Sequence, residues 1–269
     1  MALAAPGYPA YRNILAALNL EAVDLPTSAA DRYQPTVAAL EKAIAQAGPI
    51  AGLIVASPSN PTGTMVTRAE LTELARWCDR HQVRLISDEI YHGIVYEGEM
   101  ASAAEVSDHA IVVNSFSKYF SMTGWRVGWL VVPPELVRPI ERLAQNFFIS
   151  VPTISQHVAL AAFDCQEELK GHVARYRANR DLLMKGLPGA GLDRLTPAQG
   201  AFYIYADVSH LTNDSRDFCK RMLAEAGVAT TPGIDFDRAR GNGTLRISFA
   251  GSTAEMEEAV RRLKAWRRK

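Results

Sequence analysis

Short apolar runs alternate with segments of helical periodicity along the first half of the chain. Ile50 to Ala56 is an apolar run the length of a buried strand, and it stops at the turn Ser57-Pro58-Ser59-Asn60-Pro61. Thr67-Arg68-Ala69-Glu70 has the spacing of a capping box and opens a helix whose Leu71, Leu74, Ala75 and Cys78 fall on one face. Val83 to Ser87 predicts the next strand, with Asp88 at its carboxyl end. Ala110 to Asn114 predicts another, which delivers Ser115 to Lys118. Val127 to Val132 predicts a further strand, closed by Pro133-Pro134 at the start of a helix through about Phe148. Strands of this length alternating with helices predict an α/β fold, a mainly parallel sheet with flanking helices.

Beyond Pro152 the pattern changes. Val158 to about Leu187 is helical and ends at Pro188-Gly189. Shorter strands follow at Ala201 to Ala206, Val228 to Thr230 and Thr244 to Phe249, with a helix around Ser215 to Ala226. Arg240-Gly241-Asn242-Gly243 is turn chemistry feeding the last of these strands. The expected division is a large domain over residues 1–165, then a linking helix and a smaller C-terminal α+β domain over residues 166–269. In open α/β sheets ligands bind beyond the carboxyl ends of the strands. Asn60, Asp88 and Lys118 each fall just past such an end, so three chemical groups far apart in sequence are expected on one rim.

Composition narrows the classes of function. A chain of 269 residues, 48% hydrophobic and 22% charged, is an ordinary globular protein able to bury a substantial core. Lys plus Arg equals Asp plus Glu at 29 each, which leaves no net charge to draw nucleic acid or an acidic membrane. The basic tail Arg261-Arg262-Leu263-Lys264-Ala265-Trp266-Arg267-Arg268-Lys269 reads as the solvated face and end of a terminal helix, where cations suit the negative pole. Cys78, Cys165 and Cys219 are odd in number, far apart and without metal-ligand spacing, so neither a metal site nor a disulfide framework is expected. Cys78 and Cys219 fall in helical patterns, as small buried hydrophobes do. No apolar run is long enough to span a bilayer, and Pro6-Gly7-Tyr8-Pro9 interrupts the apolar start, which lacks a basic region. A cytoplasmic protein is expected.

Candidate chemistry concentrates in Asn114-Ser115-Phe116-Ser117-Lys118 and Thr123-Gly124-Trp125-Arg126-Val127-Gly128-Trp129. A hydroxyl, an amine and a guanidinium on one short segment are the groups that hold a phosphorylated aldehyde as a Schiff base. The amine attacks the aldehyde while the other two bind the phosphate. Alone, a lysine is most often a surface residue, and Asn60-Pro61-Thr62-Gly63 is a plain turn. Ser59-Asn60-Pro61-Thr62-Gly63 and Ser87-Asp88-Glu89-Ile90-Tyr91 stand upstream, in that order. With them the chain resembles the pyridoxal-phosphate aminotransferases of fold type I, class I/II (aspartate/aromatic aminotransferase-like), over essentially its whole length.

The resemblance implies a role for each of these residues. Lys118 would form the Schiff base and shuttle the proton at the substrate α-carbon. Asp88 would pair with the pyridine nitrogen and keep the ring an electron sink, where a strand-end aspartate is otherwise a cap. Tyr91 and Asn60 would reach the ring oxygen, with Asn60 also serving the substrate. Ser115 and Arg126 would take the phosphate; Ser117 would help them, or make a local hydroxyl-to-backbone bond. Tyr8 would stack on the pyridine, or simply pack with Tyr11. Arg246, on the strand face opposite Leu245, Ile247 and Phe249, would grip the α-carboxylate. His92 is a weaker candidate base than Lys118. The implied reaction moves an amino group between an amino acid and a 2-oxo acid in a ping-pong scheme. The implied assembly is a homodimer with sites at its interface, with neither nucleic acid nor membrane as partner.

Relative to the family pattern the chain starts late, at the Pro-Gly-Tyr-Pro segment. An N-terminally truncated member is expected, one that lacks the Gly- and Ser-containing phosphate loop, binds the cofactor weakly and exposes apolar surface. Arg246 asks only for an α-carboxylate, and the uncharged Phe147-Phe148-Ile149-Ser150-Val151-Pro152-Thr153 matches a region that often lines the site, so the amino acid stays open. The alternatives are a carbon–sulfur lyase or decarboxylase on the same scaffold, or a non-catalytic remnant that only binds the cofactor.

Overall fold

Two sheets organise the chain in a computed structural model that describes residues 1–266. The larger contains β1 (Ala2–Ala5), β2 (Val23–Pro26), β3 (Gly52–Ala56), β4 (Arg84–Asp88), β5 (Ile111–Ser115) and β6 (Gly128–Val131), in spatial order β2-β1-β3-β4-β5-β6. Every adjacent pair is parallel except β5 with β6. The helices α1 (Pro9–Ala17), α2 (Val37–Ala47) and α3 (Arg68–His81) connect its strands. Leu53, Val55, Leu85 and Val112 from the sheet pack in one core with Leu40 of α2 and with Leu71, Leu74, Trp77 and Cys78 of α3. Central strands of a parallel sheet are covered on both faces, which is why β3 reads as continuous apolar sequence.

The capping box at the start of α3 is complete: the Glu70 N–H donates to Thr67 Oγ1 at 3.2 Å, and the Thr67 N–H donates to Glu70 Oε2 at 2.7 Å. Thr67→Ala is expected to cost about 1 kcal/mol, read as a lower urea midpoint with an unchanged slope.

After β6 come α4 (Pro134–Phe147), α5 (Thr153–Ala162) and α6 (Gln166–Gly186). The helical stretch expected from Val158 to Leu187 is thus two helices, broken between residues 162 and 166. The smaller sheet is antiparallel, with β7 (Arg194–Leu195), β8 (Tyr203–Asp207), β9 (Thr231–Pro232) and β10 (Thr244–Ser248) in order β7-β8-β10-β9. Ile204, Leu245 and Phe249 pack there with Leu183, Leu187, Phe218, Val260 and Leu263, from α6 and its end, α7 (Ser215–Arg221) and α8 (Thr253–Trp266).

The strand expected at Val228 to Thr230 lies further on, at β9. The Val228 N–H instead closes the preceding helix end on the Met222 carbonyl, after a π-helical turn at Met222–Ala226. Tyr91, Ile94 and Tyr96, which follow β4, belong to the second core, so this segment ties the two sheets together. Of the basic tail, Arg261 and Arg262 pair with Glu258; Arg267, Arg268 and Lys269 lie outside the described residues.

Apolar surface is uncovered at β6 and α4. All four residues of the edge strand β6 are exposed, and α4 buries none of its own despite a strongly apolar face. Phe147 and Ile149 are 80% and 82% exposed. Among the described residues no helix is long and apolar enough to cross a membrane.

Candidate active site

The carboxyl rim of the larger sheet collects the chemistry. β1 leads into Tyr8 and Tyr11, β3 into Asn60, and β4 ends on Asp88. β5 ends on Ser115 and leads into Ser117 and Lys118. Because β6 runs antiparallel, its first residue pairs with Ser115, which brings the preceding Arg126 to the same rim. Arg246 arrives from β10 of the other sheet. Tyr8, Asn60, Asp88, Tyr91, Ser115, Ser117, Lys118, Arg126 and Arg246 all line one cavity of about 480 Å³. Tyr11, Ile90, Thr123 and Tyr203 line it with them. The segment from Phe147 to Thr153 does not; it links the end of α4 to α5.

Asp88 is held by two donors. The Tyr11 hydroxyl donates to Oδ2, and the Ile90 N–H donates to Oδ1 at 3.1 Å. Burial pushes the Asp88 carboxyl above its ordinary range, against the opposing pull of these two bonds. Burial, reinforced by the Asp88 charge, holds the Tyr11 hydroxyl well above its ordinary value, so Tyr11 stays a neutral donor. The next residue, Glu89, is buried and accepts from Ser87 Oγ at 3.0 Å, Ser102 Oγ at 2.8 Å and the Ala103 N–H at 2.8 Å. It anchors the backbone that carries Asp88 and Tyr91. His92 faces Glu89, with Nδ1 3.3 Å from Oε2, and is not among the cavity-lining residues.

Lys118 is half-buried. Its amine is pushed below the ordinary lysine range by burial first, then by the Arg126 and Arg246 charges, with Asp88 opposing. Arg126 sits in the left-handed region at φ +54° and donates from Nη1 to the Thr123 carbonyl at 2.8 Å, leaving donors of its fork exposed to the cavity. Ser115 Oγ lies 2.9 Å from Ser117 Oγ and accepts the Ser117 N–H at 3.1 Å, so the local hydroxyl-to-backbone bond weighed for Ser117 is made on Ser115.

Arg246 donates from Nη1 to Asn60 Oδ1 at 2.8 Å and from Nη2 to Thr231 Oγ1 at 3.2 Å. The bond to Oδ1 leaves the Asn60 amide nitrogen free to donate elsewhere. The Asn60 turn is pressed close against β8. Gly63 has φ +67°, and a Cβ there would come within 2.7 Å of the Tyr203 carbonyl oxygen, so both conformation and space demand glycine. Tyr91 is buried, with its hydroxyl 3.0 Å from that of Tyr203. Tyr8 caps α1, is 43% exposed, and meets the Tyr11 ring edge-to-face at 5.4 Å.

Sequence reading did not single out Tyr11, Glu89 or Tyr203. Tyr11 stands one helical turn beyond Tyr8, a spacing that puts both on one face. Alternation in β8 puts Tyr203 and Tyr205 on a common face, but only the pairing of β8 with β10 sets that face against Arg246.

A family model described as aminotransferase class I and II matches residues 1–263. The valine–pyruvate aminotransferase of Mycobacterium tuberculosis is 52% identical over 99% of this chain and 69% of its own length. The (5-formylfuran-3-yl)methyl phosphate transaminase of Methanocaldococcus jannaschii is 35% identical over 96% of the chain and 66% of its own length. The crystal structure of an aminotransferase from Mycobacterium tuberculosis superposes with a TM-score of 0.94 at 51% identity, covering 98% of this chain and 69% of that one. Thermus thermophilus aspartate aminotransferase with maleate gives 0.89 at 33% identity, again covering 98% and 69%. The chain therefore spans about two thirds of the length of the relatives it matches.

Proposed function

The chain belongs to the class I and II aminotransferases, whose cofactor is pyridoxal phosphate, and from that premise we propose that it moves an amino group from a neutral amino acid to a 2-oxo acid. The observation that carries the proposal is the convergence on one cavity of a half-buried amine of lowered basicity, a carboxylate held by two donors, and two arginines. The donor set fits the cofactor: an amine for the aldehyde, a carboxylate for the ring nitrogen, and two hydroxyls beside a guanidinium for the phosphate. When bound, pyridoxal phosphate supplies the aldehyde that takes up the amino group and the ring that withdraws electrons from the α-carbon.

The protein's part follows from its own groups. Asp88 would hold the proton on the ring nitrogen, with Tyr11 keeping its carboxylate aimed. Arg126, Ser115 and Ser117 would hold the phosphate, and Tyr8 would pack against the ring. The Tyr91 hydroxyl and the free Asn60 amide would donate to the ring oxygen. Lys118 Nζ takes the proton from the α-carbon and returns it; only the neutral amine can accept it, and burial beside two guanidinium groups enlarges that fraction. Arg246 receives the substrate carboxylate with parallel donors.

Substrate choice follows from the cations. Among the described residues, Lys118, Arg126 and Arg246 are the cations lining the cavity, and each already has a role. None of these is left over for a side-chain carboxylate, which favours a neutral side chain. The Mycobacterium tuberculosis relative, a valine–pyruvate aminotransferase, points the same way. Incubation with pyridoxal phosphate, valine and pyruvate should yield alanine and 3-methyl-2-oxobutanoate in equal amounts. Carbon dioxide in their place would mean a decarboxylase, release of ammonia and a 2-oxo acid from cystathionine would mean a carbon–sulfur lyase, and faster turnover of aspartate than of valine would sink the neutral side chain. Replacing Arg246 by lysine removes the two-pronged grip. The expected loss is about 1.5–3 kcal/mol, roughly 10- to 150-fold in kcat/KM, measured with the same pair of substrates.

Assembly as a homodimer belongs to the proposal, and the uncovered apolar surface of β6 and α4 supports it. A cytoplasmic location belongs to it too, supported by the free thiols of Cys78, Cys165 and Cys219.

A further inference from the structure

Tyr203 stands where the carboxylate end and the cofactor end of the site meet, and none of the roles above uses it. Its ring centroid is 4.3 Å from Cζ of Arg246, and its hydroxyl is 3.0 Å from that of Tyr91. A second ring, Phe236, lies 4.8 Å from the same guanidinium carbon. Hydrogen bonds alone do not fix Arg246, because its Nε is buried without a partner while only Nη1 and Nη2 are bonded. Those two bonds limit rotation within the guanidinium plane; the aromatic faces set the plane itself.

Tyr203 is rigid enough to do this. Its backbone pairs with Ser248 across β8 and β10, and its carbonyl lies against Gly63. Its ring meets Phe202 at 4.9 Å and Tyr91 edge-to-face at 5.8 Å. A displacement of Arg246 is therefore passed to Tyr91 through one buried side chain.

We propose that Tyr203 is a positioning residue with two separable duties, resting on the reading of Arg246 as the carboxylate grip. Its ring sets the plane of the guanidinium for an incoming carboxylate, and its hydroxyl fixes the Tyr91 phenol toward the cofactor. The two ends of the site are thereby coupled: a carboxylate that settles on Arg246 also adjusts Tyr91.

Two substitutions separate the duties. Tyr203→Phe keeps the ring and removes the hydroxyl, whereas Tyr203→Leu removes both. Propionate, a carboxylate without an amino group, reports on Arg246 by calorimetry with the cofactor-free chain. The pH titration of bound-cofactor absorbance reports on Tyr91. Tyr203→Phe should bind propionate within about twofold of the parent chain, with a displaced titration midpoint; Tyr203→Leu should bind propionate roughly threefold to tenfold more weakly. Parental affinity in Tyr203→Leu overturns the ring duty, and an unmoved midpoint in Tyr203→Phe overturns the hydroxyl duty. Arg246→Lys is the control: if it binds propionate as tightly as the parent, the carboxylate reading of Arg246 has failed, independently of Tyr203. Tyr203→Met, a longer and more adaptable side chain that also lacks a ring, replaces the leucine variant if that one does not fold.

Discussion

Lys118→Ala is expected to end borohydride-fixable retention of pyridoxal phosphate and to lower amino transfer by at least about 10⁴-fold, while the cofactor-free chain becomes no less stable. The activity loss combines two effects at one atom, since Lys118 Nζ both engages the aldehyde and carries the proton. The stability result comes from the depressed basicity of the amine. In the folded chain the charged amine is disfavoured by burial, then by Arg126 and Arg246, whereas the unfolded chain leaves it at the ordinary lysine value. The penalty is fully present at neutral pH and fades as the pH rises through the lowered folded value toward about 10.5. The alanine variant should therefore unfold at the same or a higher temperature near neutrality, with the gap closing in alkaline buffer. Peptide mass analysis after borohydride reduction checks the first result, and scanning calorimetry at two pH values the second. Retention of the label in the variant would place the reacting amine elsewhere.

Most of the rim was legible because each group stands directly after a strand that the sequence announces. Asp88 follows an apolar run, Ser115 and Lys118 follow another, and Asn60 stands in a Pro-rich turn after a third. The front of the sheet was harder to see. β1 is Ala2-Leu3-Ala4-Ala5, four residues without a β-branched side chain, and it is a strand because β2 and β3 flank it. Long-range partnerships could not be read at all. Tyr11 reaches Asp88 across 77 positions and Arg246 reaches Asn60 across 186, and no local pattern encodes such distances. For α4 the sequence announced a helix starting at Pro133-Pro134, but that says nothing of what covers its apolar face. The structure leaves that face open to water.

Asp88→Asn is expected to move two measurements in opposite directions. Amino transfer should fall by roughly 10²- to 10³-fold or more, because asparagine carries no charge to hold the proton on the ring nitrogen. The cofactor-free variant should nevertheless be the more stable chain at neutral pH. Burial raises the Asp88 carboxyl above its ordinary value despite the bonds from Tyr11 and Ile90. Below about pH 3.8 both folded and unfolded chains are protonated there and the burial penalty is absent. It grows as the pH rises toward the higher folded value, and beyond that it stays constant. One part of the gain is offset, since asparagine has a single acceptor oxygen for two donors. Urea midpoints of parent and variant should thus converge at acid pH and separate toward neutrality. Pyridoxal phosphate should reverse the order. A protonated ring nitrogen gives the buried carboxylate an opposite charge, so the rise in unfolding temperature on adding cofactor should be larger in the parent than in Asp88→Asn. Equal rises would mean that Asp88 does not meet the ring nitrogen, and its two donors would then be no more than the cap of a strand end.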